Sequence, residues 1–130
     1  ERNSMNIPDG LLCAKTNEYV IDCGDYCLVG LTDLLLSKLG DVVFVELPEV
    51  GSFYSKKEVF ATVEADAAAA ELYMPIGGKI IEINPVLAYS LDSLNSEPYS
   101  DGWLVKVEPV DMKADLYDLF DYKDYINENT

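Results

Sequence analysis

Apolar residues along this chain come in short runs separated by glycine, proline and acidic positions, a pattern that predicts strands more than helices. Residues 19–23 and 26–30 predict two strands joined through Gly24-Asp25, a pair able to supply the positive φ of a tight hairpin turn. Residues 41–47, rich in valine, predict a buried strand, stopped by Pro48 and Gly51. Residues 52–57 read as a loop that carries Lys56 and Lys57 to the start of the next strand. Two further runs, 58–63 and 72–83, flank the small residues Ala65-Asp66-Ala67-Ala68-Ala69-Ala70. That order predicts a hairpin whose tip contributes little burial and projects into solvent.

Helical signals are fewer. Thr32 or Asp33 can cap a short helix over 34–39, closed by Gly40. Three consecutive leucines, Leu34, Leu35 and Leu36, cannot all face inward from one turn, so at least one is expected to be exposed or covered by a partner. In the tail, Leu116, Leu119, Phe120 and Ile126 recur at helical spacing with Asp118, Asp121 and Asp124 between them, predicting a C-terminal helix that Asp111 can cap. Trp103 is expected in the core. Residues 1–6 are polar and expected to be flexible, leaving 7–130 as a single domain.

Composition narrows the function classes. A chain of 130 residues with 49% hydrophobic content suits one globular domain with a modest core. No apolar run approaches the roughly 18 residues of a membrane span, and no signal-type segment opens the sequence. The net charge of −15, from 24 acidic and 9 basic residues, repels nucleic acid and anionic lipid and favours encounter with basic protein surfaces. The three cysteines, Cys13, Cys23 and Cys27, do not suggest a disulfide framework and point to a reducing compartment. Cys23 and Cys27 fall in the first hairpin, where a free thiol acts as a small apolar residue. There is no histidine, so Cys/His zinc sites and Ser-His or Cys-His nucleophile pairs are excluded. No glycine-rich phosphate loop is present, and the tail aspartates lack the glycine-kinked loop of a calcium site. Nothing here reads as an enzyme.

The stretch Thr62-Val63-Glu64-Ala65-Asp66-Ala67-Ala68-Ala69-Ala70-Glu71-Leu72-Tyr73-Met74-Pro75 resembles the lipoyl hairpin of the glycine cleavage system H protein family. The family pattern is Val-Glu-Ser-Val-Lys-Ala-(Ala/Val)-Ser-Glu-Leu-Tyr-(Ser/Ala)-Pro. Val63, Glu64, Ala68, Glu71, Leu72, Tyr73 and Pro75 match it, while Ala65, Asp66, Ala67 and Ala70 depart. Lys15, Thr16 and Glu18 match an earlier motif in which Asn17 and Tyr19 replace His and Trp. Gly30, Leu31, Thr32, Asp33, Leu39, Gly40 and Asp41 match the next, where Leu34 replaces the usual His. Residues 41–51 give the longest near-identity, and Leu94, Asn95, Pro98, Tyr99, Gly102, Trp103, Leu104 and Lys106 match a later motif.

The resemblance implies a mainly β fold: a lipoyl/biotinyl-type flattened barrel, or barrel-sandwich hybrid, of two small antiparallel sheets with a short helix near 32–39 and a C-terminal helix. It implies a non-catalytic carrier that swings a lipoyl-lysine between the P, T and L components of glycine cleavage. Ala67 stands where the family carries that lysine, and a methyl group cannot form an amide with lipoate. Lipoate is the cofactor of the family, but none is covalently attached to the chain as written. Glu64 is the candidate for recognition by a lipoate ligase, and Leu34, Asp66 and Glu71 are candidates for partner contact. Three readings follow: a carrier whose lysine was changed to Ala67; a natural H-like binding or regulatory protein that kept the scaffold and lost the arm; and, least supported, an enzyme. The departures at Asp66 and Leu34 favour the second, because removing one lysine would not also alter them. The implied partners are proteins of the glycine cleavage system or a lipoate ligase, met by a monomer. The implied compartment is mitochondrial in a eukaryote and cytoplasmic in a bacterium, the former favoured.

Overall fold

Strand pairing along the first hairpin follows the expected turn. In the computed structural model, which describes residues 7–128, β2 (Glu18–Asp22) and β3 (Cys27–Leu31) pair antiparallel from Glu18↔Leu31 to Asp22↔Cys27. Gly24 takes φ 95° in the turn, and the Asp22 carboxylate accepts from its N–H at 2.9 Å. Residues 1–6, expected to be flexible, lie outside the described residues.

Two antiparallel sheets make up the β framework of the described residues. The larger runs in the order β10 (Phe120–Asp121), β1 (Leu12–Cys13), β2, β3, β9 (Val105–Pro109), β8 (Gly78–Ile83), β5 (Phe53–Tyr54). The smaller is β4 (Val42–Glu46), β6 (Val59–Ala65), β7 (Ala69–Tyr73). This is the mainly β, two-sheet architecture that the resemblance implied, with seven strands in one sheet and three in the other. The principal core lies between them and gathers Val29, Leu31, Phe60, Val63, Leu72, Met74, Ile76, Ile80, Leu104 and Val107. A second cluster, Leu11, Cys13, Tyr19 and Tyr122, seals the end of the larger sheet. Tyr19 buries its ring there and donates its hydroxyl hydrogen to the Pro98 carbonyl, the partner that a buried tyrosine hydroxyl needs.

Helix α1 (Asp33–Leu39) begins at Thr32, whose hydroxyl accepts from the Leu35 N–H at 3.3 Å, and ends at Gly40. None of the three leucines is fully exposed, so the exposure expected of at least one is not met. Leu36 is buried; Leu34 and Leu35 are half-buried, Leu34 against the second cluster and Leu35 against the principal core. The helix sits between two apolar bodies, so it buries two sides instead of one. Asp33 anchors it. The Asp33 carboxylate accepts from the hydroxyls of Tyr99 at 2.5 Å and Tyr122 at 2.7 Å, while its N–H donates to the Tyr99 oxygen at 2.9 Å. Burial, reinforced by that carboxylate, holds both tyrosine hydroxyls protonated far above their usual range.

Four other expectations change. The strand expected to be buried, β4, is an edge strand with a bulge at Val43. Only Val42 and Val45 face the core, leaving Val43 and Phe44 outside. Residues 52–57 are not all loop, because Phe53–Tyr54 pairs with β8. Trp103 is half-buried, with the Lys106 ammonium 5.5 Å from its ring centroid. The tail is not one helix. Asp111 caps a short helix (Met112–Asp115), a 3₁₀ turn follows over Leu116–Asp118, and Leu119 turns extended. Phe120–Asp121 then pairs with β1 before a last helix (Tyr122–Glu128) ends the described residues. Ladder hydrogen bonds to the open edge of β1 outweigh the helical period of the tail.

The thiols divide by burial. Cys13 and Cys27 are buried, and loss of solvation pushes both up to about 12, whereas Cys23 is exposed in the turn. Native protein at pH 8 should therefore react with Ellman's reagent at a single thiol, that of Cys23, and at all three after denaturation. Rapid native labelling of two or more thiols would contradict this packing.

Candidate functional site

The hairpin β6–β7 carries the tip that the sequence singled out. Its register runs Thr62↔Glu71, Val63↔Ala70 and Glu64↔Ala69, and the Ala65 N–H donates to the Ala68 carbonyl at 2.9 Å across the turn. Asp66 and Ala67 form the tip, and both are exposed. Alternation sends Val63 and Leu72 into the core and Glu64 and Glu71 out to solvent.

The tip is exposed but not loose. Its N–H groups reach the segment that joins α1 to β4: Ala67 donates to the Leu39 carbonyl at 2.9 Å, and Asp66 to the Asp41 carbonyl at 3.0 Å. Between those two carbonyls lies Gly40, at φ 84° and ψ −163°, a conformation essentially reserved for glycine. Asn95 straps the same segment. Its Nδ2 donates to the Gly40 carbonyl and its Oδ1 accepts from the Val42 N–H, each at 3.0 Å. At the far end of the hairpin, the buried Glu18 carboxylate accepts from the Tyr73 N–H at 2.9 Å and from the Thr16 hydroxyl. Burial raises Glu18 above the usual carboxylate range, although both hydrogen bonds oppose the rise.

Glu64, Asp66, Ala67 and Glu71 thus share one hairpin, whereas Leu34 stands apart. It lies in the first turn of α1, about 7 Å along the axis from Leu39, and packs against the second cluster. Sequence reasoning noted Asn95 and Glu18 only as matches, and Gly40 also as the stop of a helix. Their shared task, holding the hairpin at both ends, shows only once strands distant in sequence are brought together. The available signal was the polar character of Asn95 and Glu18 beside apolar neighbours, since buried polar groups need partners.

A clamped, solvent-facing tip on a two-sheet barrel suits presentation of one residue to other proteins. The family model described as glycine cleavage H-protein matches residues 11–129. The chain belongs to the glycine cleavage H-protein family. It is 42% identical to the glycine cleavage system H protein of Halothermothrix orenii over 121 residues, covering 93% of this chain and 94% of that protein. It is equally similar to that of Thermus thermophilus and 38% identical to that of Bacteroides thetaiotaomicron over 125 residues. A crystal structure of the glycine cleavage system H protein from Mycobacterium marinum superposes with a TM-score of 0.82 at 29% identity, covering 95% of this chain and 98% of that one. Proteins of this family carry lipoate and are not themselves catalysts. These relatives are bacterial, so the preference for a mitochondrial compartment finds no support.

Two measurements check the clamp. Replacing Gly40 by Ala forces a Cβ into a backbone conformation that only glycine adopts comfortably. Its nearest neighbours across the gap, at 3.5 Å, leave room, so the cost is conformational. We expect a loss of about 1–3 kcal/mol in denaturant unfolding, with faster amide exchange at Asp66 and Ala67. For Glu18, a raised native pKa means the folded state holds a proton more tightly than the unfolded state. Its contribution to stability is then greatest below the ordinary glutamate pKa and falls as pH climbs through the raised value. The melting-temperature difference between wild type and Glu18→Gln should shift in favour of wild type between pH 7 and pH 5.

Proposed function

We propose that this chain is a non-lipoylated H-like protein, a docking or regulatory member of a glycine cleavage system that keeps the carrier scaffold without the arm. The observation that carries this reading is Ala67: at the clamped, exposed tip, its side chain ends at a methyl. Lipoate needs an amine to form its amide, so the residue present does not fit the family's cofactor. The departures at Ala65, Asp66 and Ala70 cluster around the same tip, and Leu34 adds one on α1. Such a cluster favours a natural loss of the arm over a single deliberate change. Residues 7–130 act on this reading as one lipoyl-type domain, with Asp66 and Glu71 as partner contacts and Glu64 as the surviving element of ligase recognition. The partners are components of the glycine cleavage system, met in the cytoplasm of a bacterium.

The second reading, a working aminomethyl carrier whose lysine was replaced by Ala67, is favoured by the similarity over nearly the whole chain. Codon 67 of the gene separates the two: an alanine codon supports the natural variant, and a lysine codon overturns it. The scaffold itself is tested by Ala67→Lys. Incubated with a lipoate ligase and lipoate, that variant should gain the mass of one lipoyl group while wild type gains none. Failure of the variant to gain mass would overturn the claim that only the anchor is missing.

A further inference from the structure

Strand β4 leaves two large apolar side chains on the surface, Val43 at 59% and Phe44 at 51% exposure. The register of the three-stranded sheet fixes what surrounds them. Because directly opposed residues share a face, one outward row reads Phe44, Glu64, Ala69 and the next reads Glu46, Thr62, Glu71. Phe44 therefore lies among three carboxylates, with exposed Asp41 and Asp66 at the tip end of the same sheet. None of these five carboxylates takes part in an ion pair among the described residues.

An exposed aromatic is unremarkable by itself. This one differs in its setting. It stands on an edge strand, beside a second exposed apolar residue, in a sheet whose inward positions, Val42, Val63 and Leu72, are already filled. An aromatic anchor inside a charged rim is the anatomy of a protein docking surface. The rim also selects the occupant. A second copy would set the same carboxylates against each other in a chain of net charge −15. A basic partner would neutralise them and be steered by them.

We propose that the outward face of the β4–β6–β7 sheet, centred on Phe44 and rimmed by Glu46, Glu64 and Glu71, docks a protein that offers an apolar pocket within a rim of lysine or arginine. This rests on the docking role proposed above and adds where, and with what chemistry, the contact is made. The tip itself then supplies position and little binding energy.

The test measures binding of the wild-type protein to the purified P, T and L components from the same organism by biolayer interferometry at several salt concentrations. Phe44→Ser should weaken binding to the component that docks by about tenfold or more. Phe53→Ser, which removes a 66% exposed aromatic from the edge of the other sheet, should leave it unchanged. The double variant Glu46→Lys/Glu64→Lys should slow association and flatten its salt dependence. Circular dichroism and melting curves confirm that each variant is folded. Equal affinity of wild type and Phe44→Ser would overturn the surface and leave the docking role standing. Absence of binding by wild type to every component would overturn the docking role, and the surface with it. Self-association abolished by Phe44→Ser would overturn the choice of occupant.

Discussion

Two backbone hydrogen bonds, from Ala67 to Leu39 and from Asp66 to Asp41, decide what the exposed tip can be. Without them, a turn of small residues at the end of a hairpin would gain almost nothing from burial and would fray. With them, the turn is held by main-chain atoms alone, so its geometry does not depend on which side chain it shows. That independence lets the turn keep its shape while the side chain at its end is only a methyl. Gly40 is the corresponding constraint on the other partner, since its backbone must pass between the two accepting carbonyls.

The clamp is only as firm as α1, and α1 is held by buried polar groups. Asp33 ties its first turn to Tyr99 and Tyr122, which come from later parts of the chain, and Asn95 straps its exit. Each is a buried or half-buried group whose partners must all be present, because an orphaned polar atom there costs about 1–3 kcal/mol. Glu18 does the same at the base of the hairpin and does so at a desolvation cost. The scaffold thus uses hydrogen bonds that cross between segments to fix a hairpin that packing alone grips on one face.

Function follows from separating position from chemistry. The hairpin supplies position; in the glycine cleavage H-protein family, the chemistry belongs to a lipoyl group. Here the tip ends in a methyl, while the acidic sheet face beside it stays open. Among the described residues that face pairs its carboxylates with one exposed aromatic, Phe44.

Most of this was legible in the chain. The first hairpin, the cap at Thr32, the stop at Gly40 and the central hairpin are local signals, each decided by the conformational preferences of a few adjacent residues. The family was legible too, because its motifs are long and ordered. The tertiary structure alone decided the rest. The valine-rich strand reads as core but became an edge, because burial depends on which strands flank it and not on its own residues. The helical period of the tail gave way at Phe120, because the open edge of β1 offered hydrogen bonds that no local signal reveals. Asn95 and Glu18 appear in sequence as isolated matches, and Gly40 as no more than a helix stop. They come to hold one hairpin only when the fold brings residue 18 to 73 at its base and residues 40 and 95 to its tip, since hydrogen bonding depends on distance in space and composition along the chain does not encode it.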